Sequence, residues 1–333
     1  MKTYAYATAL GGLALATGLI LYHGVALVLQ ALQAAGYGLI GIILFHLIPL
    51  AWDTLAWRAL LPEPAKCPFS HFMRARWIKE SVNNLLPVAQ LGGRLVAVRL
   101  LIREGIAAEI AGASIVVDLT LAVLTQLGFT LFGVGLLVSL TQEKGIALSV
   151  LGGVAIMSAL VAGFLFLQRR GLFEGLMTRL SPFITEERWL ELVGGSKRLD
   201  AAIEELYAKR AALATCAGVQ LFSWVAGAGE VWLTLYFIGQ PVTMLEAIVI
   251  ESLGRAVRSA AFGVPAGLGV QEGGYILICG AFALSPQTGL SVSLAKRVRE
   301  LVVGVPGLAV WQAMEGISLA AAGRHGNSKK LTR

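Results

Sequence analysis

Six stretches of this chain, residues 3–22, 34–61, 106–140, 145–167, 211–239 and 290–322, are each predominantly apolar for 20 residues or more. A helix of about 20 apolar residues crosses the hydrocarbon core of a bilayer. Lipid offers the backbone no hydrogen-bond partners, so such runs read as α-helices that satisfy their own backbone. The whole chain agrees, being 56% hydrophobic and only 14% charged, against about 25% charged in soluble domains. A disordered chain, a disulfide-stapled domain and a water-soluble nucleotide-binding or barrel enzyme are all excluded. The expected fold class is an all-α polytopic membrane protein, one integral domain over residues 1–333. The run 3–22 lacks a small-residue cleavage pattern at its end and reads as a retained signal anchor. Residues 25–33 read as a short interfacial helix.

Reactive side chains are sparse. Cys67, Cys216 and Cys279 are far apart, and His23, His46, His71 and His325 share no i,i+3 or i,i+4 spacing with one another. There is no phosphate-binding glycine loop and no nucleophile elbow. No metal, no cofactor and no enzymatic activity are expected. A net charge of +7 suits contact with anionic lipid headgroups better than nucleic acid.

Lys and Arg set the orientation. Residues 169–210 hold eight of them, and more follow the second run and the last one, whereas 141–144 and 240–243 hold only Lys144. Positive loops face the cytoplasm, so both termini are expected inside. Trp189, Leu192, Val193, Leu199, Ile203 and Leu206 recur at helical spacing around Gly194-Gly195. The segment 169–210 therefore reads as a cytoplasmic amphipathic linker between two halves.

Two stretches, 72–101 and 245–284, fit neither span nor loop. Each runs Glu-Ser, then Pro (Pro87, Pro265), then Gly-Gly (92–93 and 273–274) preceded by Gln90 or by Gln271-Glu272. Each is followed by a long run with an acid 25 or 26 residues past the glycine pair, Asp118 or Glu300. The expectation is about six full spans plus two re-entrant helical hairpins in an inverted-repeat arrangement. The first repeat covers 34–140 and the second 211–322. Such repeats recur in secondary transporters.

Charge inside the apolar runs carries the functional signal. One Asp, Lys or Arg at a helix centre costs roughly 2.5–3.5 kcal/mol on insertion scales. A dozen facing lipid would not be tolerated, so they must face one another or water. Arg76, Glu80 and Asn84 form a stripe of period four beside Lys79 and Asn83, while Glu251, Arg255 and Arg258 share one helix face. Ion pairing is the structural explanation, for example Glu251 with Arg255 or Lys296 with Glu300. Arg255 and Arg258 beside a single acid would repel unless an anion lay between them, and a phosphate accepts guanidinium forks well. The expected substrate-binding residues are Arg255, Arg258, Gln271, Asn84, Gln90 and Arg94. Glu80, Asp118, Glu251, Glu272, Arg299 and Glu300 are expected to couple or gate.

The pattern Glu80-Ser81, Pro87, Gln90, Gly92-Gly93, Arg99, then Pro265, Gly267, Gly269 and Glu272 resembles the flippase-like family that includes the transmembrane region of lysylphosphatidylglycerol synthases. The variant around Asn83-Asn84-Leu85-Leu86-Pro87 is most similar to members associated with hopanoid biosynthesis. Many members carry an acid where this chain has Arg94. The resemblance implies a bacterial inner-membrane transporter, a flippase or scramblase, passing a phosphate-bearing or isoprenoid-related lipid between leaflets. Its partners would be membrane lipids with an anionic headgroup, with homo-oligomerisation open. The synthases' soluble aminoacyl-transfer domain is not expected here. Two other classes stay open, an intramembrane lipid-modifying enzyme and a non-catalytic subunit of a lipid-assembly complex.

Overall fold

The computed structural model describes residues 36–61, 67–86, 92–141, 195–260 and 269–331, with isolated helical positions between 148 and 166. No strand occurs among them. The helices are α1 (Gly38–Phe45), α2 (Leu47–Arg58), α3 (Phe69–Leu85), α4 (Gly92–Arg103), α5 (Ala108–Thr141), α6 (Ser196–Ala208), α7 (Arg210–Phe237), α8 (Met244–Ala260), α9 (Val270–Gly280) and α10 (Pro286–Leu331). His46 joins α1 to α2 with helical dihedrals, φ −59 and ψ −23, so the two act as one rod.

Among the described residues, three helices are long and apolar enough to cross a membrane: Gly38–Arg58, Ala108–Thr141 and Arg210–Phe237. Each falls in an expected run. The protein is an all-α membrane protein. α10 is longer, at 46 residues, but Lys296, Arg297, Arg299 and Glu300 interrupt its apolar sequence. It continues through Pro306, a residue that removes one helical hydrogen bond. One turn earlier, Trp77 Nε1 donates to the Val303 carbonyl at 2.8 Å, so a neighbouring helix supports the weakened turn. The runs 3–22 and most of 145–167, and the linker from 169 to 194, lie outside the described residues.

α5 serves as a ruler for the rest. Its 34 residues span about 51 Å at 1.5 Å per residue. Ala111, Ala113, Ile115 and Val117 on its first half share a buried cluster with Ala75 and Ile78 of α3 and Ala97 and Leu100 of α4. Val134 and Leu137 on its second half share another with Val249, Ile250 and Leu253 of α8 and Tyr275 and Ile278 of α9. The two helix–break–helix units, α3–α4 and α8–α9, therefore occupy opposite halves of the bundle. In the first unit His71 and Arg74 near the start of α3 meet Glu104 just past α4, so the end of α3 and the start of α4 lie at the opposite end of the unit.

The glycine pairs explain how each unit closes. A Cβ on Gly93 would lie 2.2 Å from the Lys79 carbonyl oxygen, so α4 rests directly on the backbone of α3. The Gly93 N–H also donates to Asn83 Oδ1 at 2.9 Å. A Cβ on Gly274 would meet Val257 Cγ1 at 2.7 Å. In both units the second glycine makes the contact, and Gly273 faces open space.

α6 is the described part of the expected amphipathic linker. Gly195, at φ +58, turns the chain into it. Leu199, Ile203 and Leu206 are buried, with Leu199 Cδ1 packed 3.0 Å from where a Gly112 Cβ would stand. This is the same end of the bundle as Arg103, which reaches Glu315 of α10 at 2.9 Å.

Candidate functional site

Between the two units lies a continuous band of charged side chains supplied by α2, α3, α4, α5, α7, α8, α9 and α10. Burying an ion costs several kcal/mol unless partners replace its water. The sequence places these residues on the inward faces of otherwise apolar helices, and packing brings opposite charges together.

The half nearer α3–α4 centres on Asp118. Arg76 reaches Asp118 Oδ2 at 3.1 Å and Asp53 at 2.8 Å, Lys79 Nζ lies 3.2 Å from Asp118, and Gln220 of α7 donates to Asp118 at 3.1 Å. Arg94, in the first turn of α4, lies in the field of Asp118. Lys79 also sits 5.3 Å over the Trp57 ring. Asp118 is thus held by two cations and an amide.

The half nearer α8–α9 is organised by α10. Lys296 Nζ lies 2.7 Å from Glu251 and 3.8 Å from Glu230. Arg299 donates to Glu230 Oε2 at 2.9 Å. Arg255 pairs with Glu251 and stacks 4.7 Å over Trp224. Arg258 pairs with Glu300 and donates to Gln271 Oε1 at 2.9 Å and to Asn84 Oδ1 at 3.3 Å. Arg297 lies 3.4 Å from Glu272 and 3.5 Å from Glu300.

Two expectations are corrected here. Arg255 and Arg258 do not share one acid, because Glu251 holds the first and Glu300 the second. Lys296 does not pair with Glu300, since its ammonium points to Glu251 and Glu230 instead. The pairing of Glu251 with Arg255 is as expected. Asn84, Arg94, Gln271, Glu80, Asp118, Glu272, Arg299 and Glu300 all belong to the same band. Gln90 lies outside the described residues, as do Pro87 and Pro265.

His46 joins the halves and was invisible to spacing arguments. Its Nε2 lies 3.2 Å from Glu80 of α3, while its Nδ1 lies 2.6 Å from Glu230 and 2.7 Å from Arg299 Nη1. Nδ1 therefore meets an acceptor and a donor at once. A proton on Nδ1 suits Glu230 and opposes Arg299, whereas a proton on Glu230 frees Nδ1 to accept from Arg299. The available signal was a buried polar ring in an apolar run. Gln220 was missed for the same reason.

A small, partly open pocket is lined by His46, Glu80, Ser81, Asn84, Arg299, Glu300, Val303 and Gly304. Glu80 shows 28% of its side chain, against 1% for Glu230. Two buried donors in the same region, Arg299 Nε and Gln271 Nε2, find no acceptor among the described residues. Buried donors without acceptors cost roughly 1–3 kcal/mol each, so the site favours an acceptor-rich guest.

Residues 9–307 match the family described as the lysylphosphatidylglycerol synthase TM region. The chain belongs to that family. The match takes in both helix–break–helix units of this family member and its whole charged band, ending within α10 beyond Glu300. No curated protein and no solved structure matches the chain.

Proposed function

We propose that this family member is a lipid transporter, a flippase or scramblase for a phosphate-bearing or isoprenoid-related lipid, as in the hopanoid-associated subgroup, and not an enzyme. One observation carries the reading: guanidinium and amide donors without acceptors beside a polar pocket between α3 and α10. The headgroup enters that pocket and takes hydrogen bonds from Arg299, Gln271 and Arg258, while Glu300 keeps Arg297. The tails stay in lipid. Irregular backbone at membrane depth is tolerated where it lines such a cavity, which is the role given to the breaks after α3 and α8 as two re-entrant hairpins of an inverted repeat. The protein sits in the bacterial inner membrane with both termini inside, its partners being membrane lipids and a second copy of itself.

Glu80, His46 and Glu230 form a chain of proton-accepting groups from the pocket inward, which supports coupling to a proton gradient. The same His–Glu pair favours a second reading, a general base acting on bound lipid. One experiment separates them. Protein reconstituted in liposomes with labelled lipids of several headgroups is assayed for leaflet exchange, with and without a pH gradient, and the lipids are analysed afterwards. Exchange with chemically unchanged lipid supports transport; converted lipid supports the enzyme; neither sinks both readings.

A further inference from the structure

A second group of chemistry-bearing side chains stands at the other end of the first unit, apart from the charged band. One ligand atom each from Cys67, His71 and Glu104 lies within 4.8 Å of the other two. Cys67 stands two residues before α3 and His71 in its first turn; Pro68 between them is extended, with φ −60 and ψ 149, so the bend at the helix entry, and not helical spacing, sets the thiol beside the imidazole. Glu104 follows the last residue of α4. Its N–H bonds to the carbonyls of Leu100 at 3.2 Å and Leu101 at 3.1 Å, and Gly105 leaves the helix at φ +88. Helix ends therefore fix all three on backbone that cannot drift far.

His71 Nδ1 hydrogen-bonds one oxygen of Glu104, and Arg74 donates to the other at 2.8 Å. An ion pair accounts for those residues but not for the thiol. Cys67 is only 5% exposed, and its sulfur has just a weak 3.8 Å contact with the neighbouring Pro68 carbonyl. Packing alone would favour an apolar neighbour there, not a carboxylate and an imidazole. Thiolate, imidazole and carboxylate together are the ligand set of zinc and its first-row relatives, bound at about 2.0–2.3 Å. Tetrahedral bonds of that length set ligand atoms about 3.3–3.8 Å apart, so the trio needs to contract by little more than about an ångström.

We propose that Cys67, His71 and Glu104 bind one divalent transition-metal ion of the zinc class, with solvent in the fourth position. The side chains of His71 and Glu104 are 33% and 24% exposed, which leaves that position open to water. Binding displaces the His71–Glu104 hydrogen bond and releases the thiol proton to solvent. Thiolate and carboxylate then balance the ion's two positive charges. Arg74 keeps its hydrogen bond and orients the ligating carboxylate, as outer partners of metal ligands do. The ion ties the entry of α3 to the exit of α4 and clamps the open end of the first unit. This proposal stands independently of the transport reading.

The test uses the full-length protein in detergent, stripped with chelator, desalted and titrated with Co²⁺. The expected result is one Co²⁺ per chain, a thiolate-to-metal band in the near ultraviolet, visible bands of tetrahedral cobalt, and displacement by Zn²⁺. Cys67→Ser removes the near-ultraviolet band, Cys216→Ser and Cys279→Ser keep it, and Glu104→Gln weakens binding at least tenfold. Should Cys67→Ser aggregate, the thermal shift on adding Zn²⁺ replaces it: present in the wild type, lost in His71→Gln. A wild type without the band, or a band that survives in Cys67→Ser, or a Zn²⁺ shift that persists in His71→Gln, overturns the site.

Discussion

Glu80 and Glu251 each open a Glu-Ser pair on the first helix of a helix–break–helix unit, yet they are held differently. Glu80 keeps 28% of its side chain exposed and, among the described residues, pairs with His46 at 3.2 Å. Glu251 is fully covered and lies against both Arg255 and Lys296. One plan has been used for two jobs. The first unit presents its acid to the pocket, whereas the second spends its acid on neutralising cations from its own helix and from α10.

Replacing both acids breaks the comparison most sharply. Glu251→Gln leaves the buried Lys296 and the half-buried Arg255 facing an amide, and breaking a buried pair from one side costs about 3–5 kcal/mol. Its melting temperature in detergent should fall steeply. Glu80→Gln should melt within about 1 kcal/mol of the wild type while losing leaflet exchange. A Glu80→Gln protein that melts as early as Glu251→Gln would erase the distinction.

The glycine pairs give the next largest contrast. Gly93→Ala sets a methyl against the Lys79 backbone oxygen, which cannot step aside, and should cost about 1–3 kcal/mol. Gly274→Ala meets the Val257 side chain, which can turn, so the loss should be smaller. Thermal melts in reverse order would show that the first unit is the looser one.

Among the arginines, Arg255→Ala removes the Trp224 stacking and leaves Glu251 with Lys296 at 2.7 Å, for a loss of about 2 kcal/mol. Arg258→Ala leaves Glu300 with Arg297 at 3.5 Å and Arg299 at 3.6 Å, so about 1 kcal/mol is expected. Lipid exchange should follow the other order, with Arg258→Ala the worse transporter because it also contacts Gln271 and Asn84. Equal exchange in the two variants would remove Arg258 from the substrate path. The smallest effect belongs to Gly273→Ala, whose new methyl meets nothing; its melt should stay within about 0.5 kcal/mol of the wild type.

Much of this was legible before any coordinates. Apolar runs located α1–α2, α5 and α7, because a membrane forces length and composition onto a helix. The charged stripes located the acids and arginines of the band, since each is costly in lipid. Partner choice was not legible. Lys296 lies one turn from Glu300 in sequence, yet it points to Glu230 on α7 and Glu251 on α8, and only packing decides that. His46 gave no periodic signal because its partners come from three other helices. Cys67 and His71 are four apart, but each residue type was judged by its own spacing and their mixed pair went unread. Glu104 joins them through tertiary structure alone.

Lys296, Arg297, Arg299 and Glu300 of α10 lie within five positions, barely more than one helical turn. From that short segment they reach Glu230 on α7, Glu251 on α8, Glu272 on α9 and His46 between α1 and α2. A rotation or slide of this one rod must therefore exchange partners on all sides at the same moment. Mechanically, α10 is a camshaft: the helices it holds cannot be loosened from it one at a time.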